Sequence, residues 1–441
     1  MEKKKRSLLS DNNFGTQGWI LIIYGLLALT FTLMARNTYM NQASGIYEGL
    51  YGWNKNTLIG YSTYGGWAAA VIMMFIGQLM QRFSPRKICG ILGIISAGLI
   101  FCFGLCTEQW HYAVVMITCC ITTMVWTIQV TGQLISNWFP RKKGMAMGWM
   151  TIGFPLGGLI GVPLFNALNA SIGMKNTYFI YGGLTLILAI VGLIVIRDWP
   201  EDKGAFPDND KDMTKEKTLA LFEEGKKIAA NSCWTVKRMF SIKETWFIGI
   251  GVGAMGFMAA AFMSTMIPRL LSLGYDIGTS VTLMTVAGVA GCVGSVICGF
   301  IDQKVGPRKA IIITLFICVA ACILNLIPST VAVVISMACI GMVNGGSANY
   351  LVSIVSSYWG RYHFVRAFKV LSPFNQIIAS AGALVVTSVA TVHGNYTLAY
   401  IIVGIIAVIA AVLMFFTSDK AVEAATEKYS AQDGKKAEPT A

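Results

Sequence analysis

The chain has 441 residues, of which 55% are hydrophobic and only 12% charged, and its mean hydropathy is +0.63. A soluble domain carries about twice that charged fraction, so a soluble globular fold is excluded. The formal charge of +13 would suggest nucleic acid in a soluble protein. Here the cations sit in short loops between long apolar runs, so no nucleic-acid partner is expected and the lipid bilayer is.

The N-terminal stretch MEKKKRSLLSDNN is basic and polar and lacks a small-residue cleavage site, so residues 1–16 read as a cytoplasmic tail rather than a signal peptide. Six apolar spans follow, near 17–40, 57–80, 87–106, 111–138, 144–170 and 176–197, and make an N-terminal bundle over 17–197. Residues 198–243, including DWPEDKGAFPDNDKDMTKEK, read as a solvated cytoplasmic linker with one helix near LALFEEGKKIAAN. Six more spans, near 245–271, 278–302, 309–327, 331–358, 364–391 and 396–417, make a C-terminal bundle over 244–417. The tail 418–441 is polar and expected to fray.

Arg82, Arg86, Lys87, Arg141, Lys142, Lys143, Lys304, Arg308, Lys309, Arg361 and Arg366 fall in loops on one side, with both tails and the linker. The other side offers little beyond Lys55 and Lys175. The positive-inside rule then predicts a multi-pass protein of the plasma (inner) membrane with both termini cytoplasmic. The fold class expected is all-α: twelve transmembrane helices in two six-helix bundles.

The halves echo each other. GQLMQRFSPRK (77–87) aligns with GFIDQKVGPRK (299–309), and SNWFPRKKGMAMG (136–148) with SYWGRYHFVRAFK (357–369). A duplicated six-helix unit of this kind is the parallel repeat of a large transporter class. On these motifs the chain resembles the major facilitator superfamily over residues 15–418. The family's loop pattern, Gly-x-x-x-Asp-Arg-x-Gly-Arg-Arg/Lys, is departed from: Gln81 stands where the first aspartate belongs, Ser84 replaces the glycine, and Asp302 sits one residue early. The resemblance implies gating or loop roles for Arg86, Asp302 and Arg308. GWILIIYG and NWFPRKKGMAMGWMTIGFPLGG are similar to the oxalate/formate antiporter and monocarboxylate transporter branch.

Ionisable residues inside the membrane are costly and therefore functional candidates. Arg36 lies 17 residues past Trp19, which places it roughly 10 Å outside the midplane at 1.5 Å per residue. It is followed by the polar band Asn37, Thr38, Tyr39, Asn41 and Gln42, and is read as a substrate-binding cation. Lys369, in the eleventh span, stays open between a site role and a basic rim with Arg366 and His363. Arg269, near the outer end of the seventh span, is read as snorkelling to the headgroups.

No aspartate, glutamate or histidine falls near the middle of any span; Glu48, Glu108, Glu244, Asp276 and Asp302 belong to loops or helix ends. A pump for organic cations needs a buried carboxylate. Unpaired cations ask for an anion instead, and a guanidinium holds a carboxylate bidentately. The resemblance adds that monocarboxylate transporters carry a first-helix cation, at the place Arg36 occupies. Oxalate/formate antiporters carry cations on the eighth and eleventh helices. Lys369 matches the latter loosely, while the eighth span has no cation, which favours a monocarboxylate over a dianion such as oxalate.

Polar and aromatic residues at mid-membrane depth complete a candidate lining: Tyr61 and Tyr64 on the second span, Trp126, Gln129 and Gln133 on one face of the fourth, Asn344, Ser347 and Tyr350 on one face of the tenth, Asn375 and Gln376 on the eleventh. Each has an alternative as helix–helix packing. GFPLGGLIG (153–161) reads as close packing, not a phosphate loop. The eleven cysteines and three histidines show no metal spacing, and no catalytic motif is present, so no metal, cofactor or enzymatic activity is expected.

The function expected is secondary transport of small organic carboxylates by alternating access, as exchanger, uniporter or proton-coupled carrier, with a counter-anion or proton as partner and a monomeric state. The rivals are a proton-driven drug or metabolite efflux transporter and a transport-inactive membrane sensor.

Overall fold

The structure, a computed structural model, describes residues 12–38, 43–80, 82–210 and 215–434. Among the described residues there are helices and no strands, and eleven helices are long and apolar enough to cross a membrane. Two of these long helices are bent back on themselves. Gly153–Val195 breaks at Gly173 (φ 78°, ψ 163°), a conformation open to glycine and costly for other residues. There the fifth span turns into the sixth. Tyr350–His393 breaks the same way at Gly360 (φ 70°, ψ 173°), between the tenth and eleventh.

Twelve passes result, as expected. Spans 1 to 4 are Gly15–Thr38, Lys55–Leu79, Pro85–Phe103 and Gln109–Trp138. Span 5 starts as Lys143–Met150 and resumes at Gly153. Spans 7 to 9 are Lys243–Ser272, Ile277–Val305 and Pro307–Leu326; span 10 starts as Thr330–Ser347 and resumes at Tyr350; span 12 is Thr397–Phe415. Pro85 and Pro307 open spans 3 and 9, where a missing N–H costs nothing.

Packing inside each half rests on small residues, since lipid offers no hydrophobic drive between helices. A Cβ at Gly153 would lie 2.5 Å from Leu26 O, and one at Gly157 2.9 Å from Thr30 O. The glycine-rich run therefore brings span 5 against span 1.

Two polar segments depart from expectation. Residues 198–210 and 215–243 are folded, not simply solvated, and the helix expected near LALFEEGKKIAAN forms. Their first part belongs to the N-terminal half: Asp198 accepts hydrogen bonds from Ser84 Oγ (2.5 Å) and the Arg86 N–H (2.7 Å), and its carbonyl accepts from Asn137 Nδ2 (3.0 Å). Asp208, 5% exposed, accepts from the backbone N–H groups of Arg141 and Lys142; burial nonetheless pushes its carboxyl above the usual range. The second part belongs to the C-terminal half. Its helix, Lys215–Ala230, is followed by Ser232, bonded to His363 Nδ1 at 2.7 Å. The tail, expected to fray, forms the helix Asp419–Gln432, whose Tyr429 packs edge-on against buried Trp234. Apolar residues spaced along these polar helices need cover, and the bundle ends supply it.

The first and last described residues meet this linker face: Lys142 Nζ donates to Asn13 O and Trp149 Nε1 to Asn12 Oδ1, both at 2.8 Å, and Arg238 pairs with Asp433 at 2.7 Å.

Candidate functional site at the seam between the halves

The two halves meet along two helix crossings. Spans 5 and 8 approach backbone to backbone: a Cβ at Gly148 would lie 3.0 Å from Gly299 Cα, and one at Gly299 2.6 Å from Gly144 O. Above this contact a polar knot joins the halves. Thr151 Oγ1 meets Ser295 Oγ at 2.6 Å and donates to Asn349 Oδ1, while Asn349 Nδ2 donates to Ser295 O at 3.0 Å. All three side chains are fully buried. Toward the linker face, Asp302 is 3% exposed, with its Oδ2 2.8 Å from where a Gly144 Cβ would stand.

Spans 2 and 11 make the second crossing. A Cβ at Gly77 would collide with Lys369 Cβ and lie 3.4 Å from Gln129 Nε2. One at Gly66 would collide with Ser380 Oγ and lie 3.3 Å from Gln376 Nε2. Ser372 Oγ donates to Met73 Sδ at 3.4 Å between these points. Near the linker face Ser136 Oγ donates to Ser356 Oγ (3.2 Å), and Gln303 Nε2 to Arg141 O (2.8 Å). The halves are thus closed together on the linker face.

Gln129 and Lys369 are brought together here, from opposite halves. Gln129 is fully buried; its Nε2 donates to Met73 O at 2.8 Å and its Oε1 has no partner. Asn375, on the same span as Lys369, also has an unpartnered Oδ1. Asn344 reaches Met263 Sδ at 3.6 Å within the C-terminal half.

Other expected lining residues are placed elsewhere. Trp126 does not share a face with Gln129, because Val125–Val130 is a π-helical turn and the wider turn shifts the register. Trp126 points into the N-terminal half, donating to Tyr24 Oη at 3.0 Å. Tyr350 does not share a face with Asn344, because six residues at 3.6 per turn set the two roughly 120° apart around the helix; it is fully buried with its hydroxyl 2.7 Å from Thr314 Oγ1. Tyr61 and Tyr64 diverge: Tyr61 accepts from Gln109 Nε2 at 3.3 Å, while Tyr64 is 56% exposed beside Trp67. The backbone of Arg36 lies in the last turn of span 1; its side chain, Tyr39, Asn41, Gln42 and Gln81 lie outside the described residues.

Arg269 does not snorkel. It is 5% exposed, donates through Nε to Asn325 Oδ1 at 2.8 Å and lies 5.5 Å from the Tyr400 ring, so it ties span 7 to spans 9 and 12. Of the loop residues, Arg86 contributes its N–H to Asp198, and Arg308 donates to Phe415 O at the end of span 12.

Sequence reasoning missed Gly77, Gly299, Thr151, Ser295 and Asn349. The available signal was small residues four apart, Gly144 with Gly148 and Ser295 with Gly299. It also missed a cavity of about 490 Å³ at the linker-face mouth of the seam, lined from both halves and the linker by residues that include Arg141, Lys143, Glu201, Ser356 and Arg361.

Two six-span halves, closed on one face around a polar seam, define an integral membrane carrier. The Major Facilitator Superfamily family model matches residues 18–383, and the chain belongs to that family. It is similar to the uncharacterized MFS-type transporter YhjX of Escherichia coli K12, with 20% identity covering 68% of this chain and 71% of that one. It is also similar to the oxalate:formate antiporter of Oxalobacter formigenes, with 25% identity covering 64% and 63%. The fold matches that of the proton:xylose symporter XylE, with a TM-score of 0.66, 14% identity, and 90% and 94% of the two chains covered. The protein is a transporter and not an enzyme.

Proposed function

We propose that the protein carries small organic carboxylate anions, monocarboxylates in preference, by alternating access of the seam to the two sides of the membrane. The observation that carries this proposal is Lys369. Nine residues past the break at Gly360, it stands roughly 13 Å into span 11. It lies against the opposite half at Gly77, and among the described residues it has no carboxylate partner. A substrate carboxylate would supply the missing charge. Arg36, on span 1, would offer a second cation from the far side. The similarity to an oxalate:formate antiporter supports the substrate class.

In this proposal the linker face is cytoplasmic, in the inner membrane, as the loop cations favour, and the state described is closed to the cytoplasm. The transporter acts as a monomer, in exchange, uniport or proton-coupled mode. Uptake of labelled mono-, di- and aromatic carboxylates into proteoliposomes tests the proposal. Lys369→Gln and Arg36→Gln should each lower uptake at least tenfold, with monoanions preferred and oxalate weak. Wild-type uptake by both variants would refute it.

A further inference from the structure

The cavity of about 490 Å³ at the linker-face mouth is separate from the crossing of spans 2 and 11, since neither Gln129 nor Lys369 lines it. Its volume falls in the range of small-molecule sites. Lys143 at the start of span 5 contributes to its wall, as do the linker helix through Phe222 and Glu224, the turn between spans 10 and 11 through Trp359 and Tyr362, and the tail helix through Glu427.

Several charges of the wall are already committed. Glu201 receives both terminal nitrogens of Arg361 at 3.1 Å, Asp208 receives the N–H groups of Arg141 and Lys142, and Asp210 pairs with Arg141 at 3.4 Å. The groups left over fall into two sets. Toward the seam they are donors. Lys143, half-buried beside Gly144, makes no ion pair among the described residues. Trp359 is only 2% exposed, and its indole N–H has no hydrogen-bond partner; Arg361 Nε has none either. Toward water the groups left over are acids. Glu224 and Glu427 are exposed, and neither makes an ion pair among the described residues. Phe222 and Tyr362 add flat apolar surface.

A buried N–H without a partner costs free energy that an acceptor recovers, and an ammonium nearby favours a charged acceptor such as a carboxylate. A ligand that was only anionic would bring its outer end against Glu224 and Glu427. One that was only cationic would set its charge beside Lys143 and Arg361. A carboxylate at one end, an amine at the other and a ring between them complement both sets.

We propose that this cavity is a binding site for a small zwitterion with a planar apolar body, its carboxylate toward Lys143 and Trp359 and its amine toward Glu224 and Glu427. Both halves contribute to the wall, so the ligand binds one arrangement of the halves better than the other. Transport then follows the zwitterion's concentration on the linker face. This regulatory consequence rests on the alternation put forward above, whereas the binding site does not.

Isothermal titration calorimetry of the full-length protein in lipid nanodiscs, with 4-(aminomethyl)benzoate as the probe, tests the site. The wild type should bind the probe saturably. Lys143→Gln and Trp359→Phe should each weaken binding at least tenfold; the second removes the N–H and keeps a ring against Trp234, so the fold is spared. The exposed pair Glu224→Gln with Glu427→Gln should weaken it at least threefold, and Lys369→Gln should leave it within twofold. 4-Methylbenzoate, which lacks the amine, should bind at least threefold more weakly than the probe, and benzylamine, which lacks the carboxylate, at least tenfold. Absence of saturable binding would overturn the proposal, as would undiminished binding by both Lys143→Gln and Trp359→Phe. 4-Methylbenzoate binding as tightly as the probe would overturn the zwitterion. Loss of binding in Lys369→Gln alone would move the probe to the seam crossing, ending this site while supporting the carriage of carboxylates.

Discussion

Spans 5 and 8 cross glycine on glycine, whereas spans 2 and 11 cross glycine on lysine. The repeat makes these crossings equivalent: Gly77 aligns with Gly299, and Lys369 with Gly148. At the first, backbones touch, with a Gly148 Cβ position 3.0 Å from Gly299 Cα, and the Thr151–Ser295–Asn349 knot adds directional bonds. At the second, the same close approach remains on the Gly77 side, but the partner carries a long cationic side chain beside Gln129. The two aligned crossings thus differ: one sets backbone on backbone, the other sets a glycine against a cationic side chain, the one the proposed carriage of anions would use. The difference lies in the exchange of Gly148 for Lys369 and in the knot, where Thr151 and Ser295 align with Ser372 and Met73.

Gly299→Val should break the holding crossing and have the largest effect. Its Cβ would stand 2.6 Å from Gly144 O and 2.7 Å from Gly148 Cα, and backbone atoms cannot swing aside as a side chain can. Overpacking of this kind costs about 3 kcal/mol, and the added methyls make it worse. Thermal unfolding in detergent should show the loss, together with little or no uptake. A variant as stable as wild type would mean that this crossing does not hold the halves.

Lys369→Gly restores the symmetry and asks whether charge or contact matters at the second crossing. With glycine on both helices, this crossing would pack as Gly148 does on Gly299, so stability should hold within about 1 kcal/mol, the cost of a helix glycine. If the proposed carriage of carboxylates is right, uptake should fall at least tenfold with the fold intact. Full uptake would assign Lys369 to packing alone.

The knot gives a finer test. Asn349→Ala removes the acceptor for Thr151 and the donor to Ser295 O, all in buried surroundings. Leaving buried polar atoms unpaired costs about 1–3 kcal/mol, less than the glycine clash but measurable in the same melt. Its transport defect should follow its stability loss, in contrast to Lys369→Gly.

The twelve passes were legible because lipid demands long apolar helices with satisfied backbones, and that demand is written residue by residue. The crossings were not. A glycine that touches a backbone and a glycine that faces lipid look alike in sequence, and Thr151, Ser295 and Asn349 are ordinary packing residues until their partners are known. The face expected to hold Trp126 together with Gln129 assumed an α-helical register that the π turn at Val125–Val130 abolishes. The linker looked solvated because its charges outnumber its apolar residues. Its burial depends on Arg361, Tyr362 and Trp359, far away in the chain. Arg269 misled for a similar reason: only its tertiary partner Asn325 distinguishes a tied arginine from a snorkelling one.

The smallest effect belongs outside both crossings. Arg238 and Asp433 join the linker to the tail helix at 2.7 Å, but each side chain is 24% exposed and both lie within the body of the C-terminal half. An ion pair open to water is screened and contributes little, and its loss leaves neither partner stranded in a dry site. Nor does this pair cross the seam, so parting it gives no advantage to either state of the transporter. Arg238→Ala should therefore leave the melting temperature and uptake indistinguishable from wild type, although its bond to Asp433 is short at 2.7 Å. A lowered melting temperature in this variant would show that the pair braces the tail helix against the linker despite its exposure.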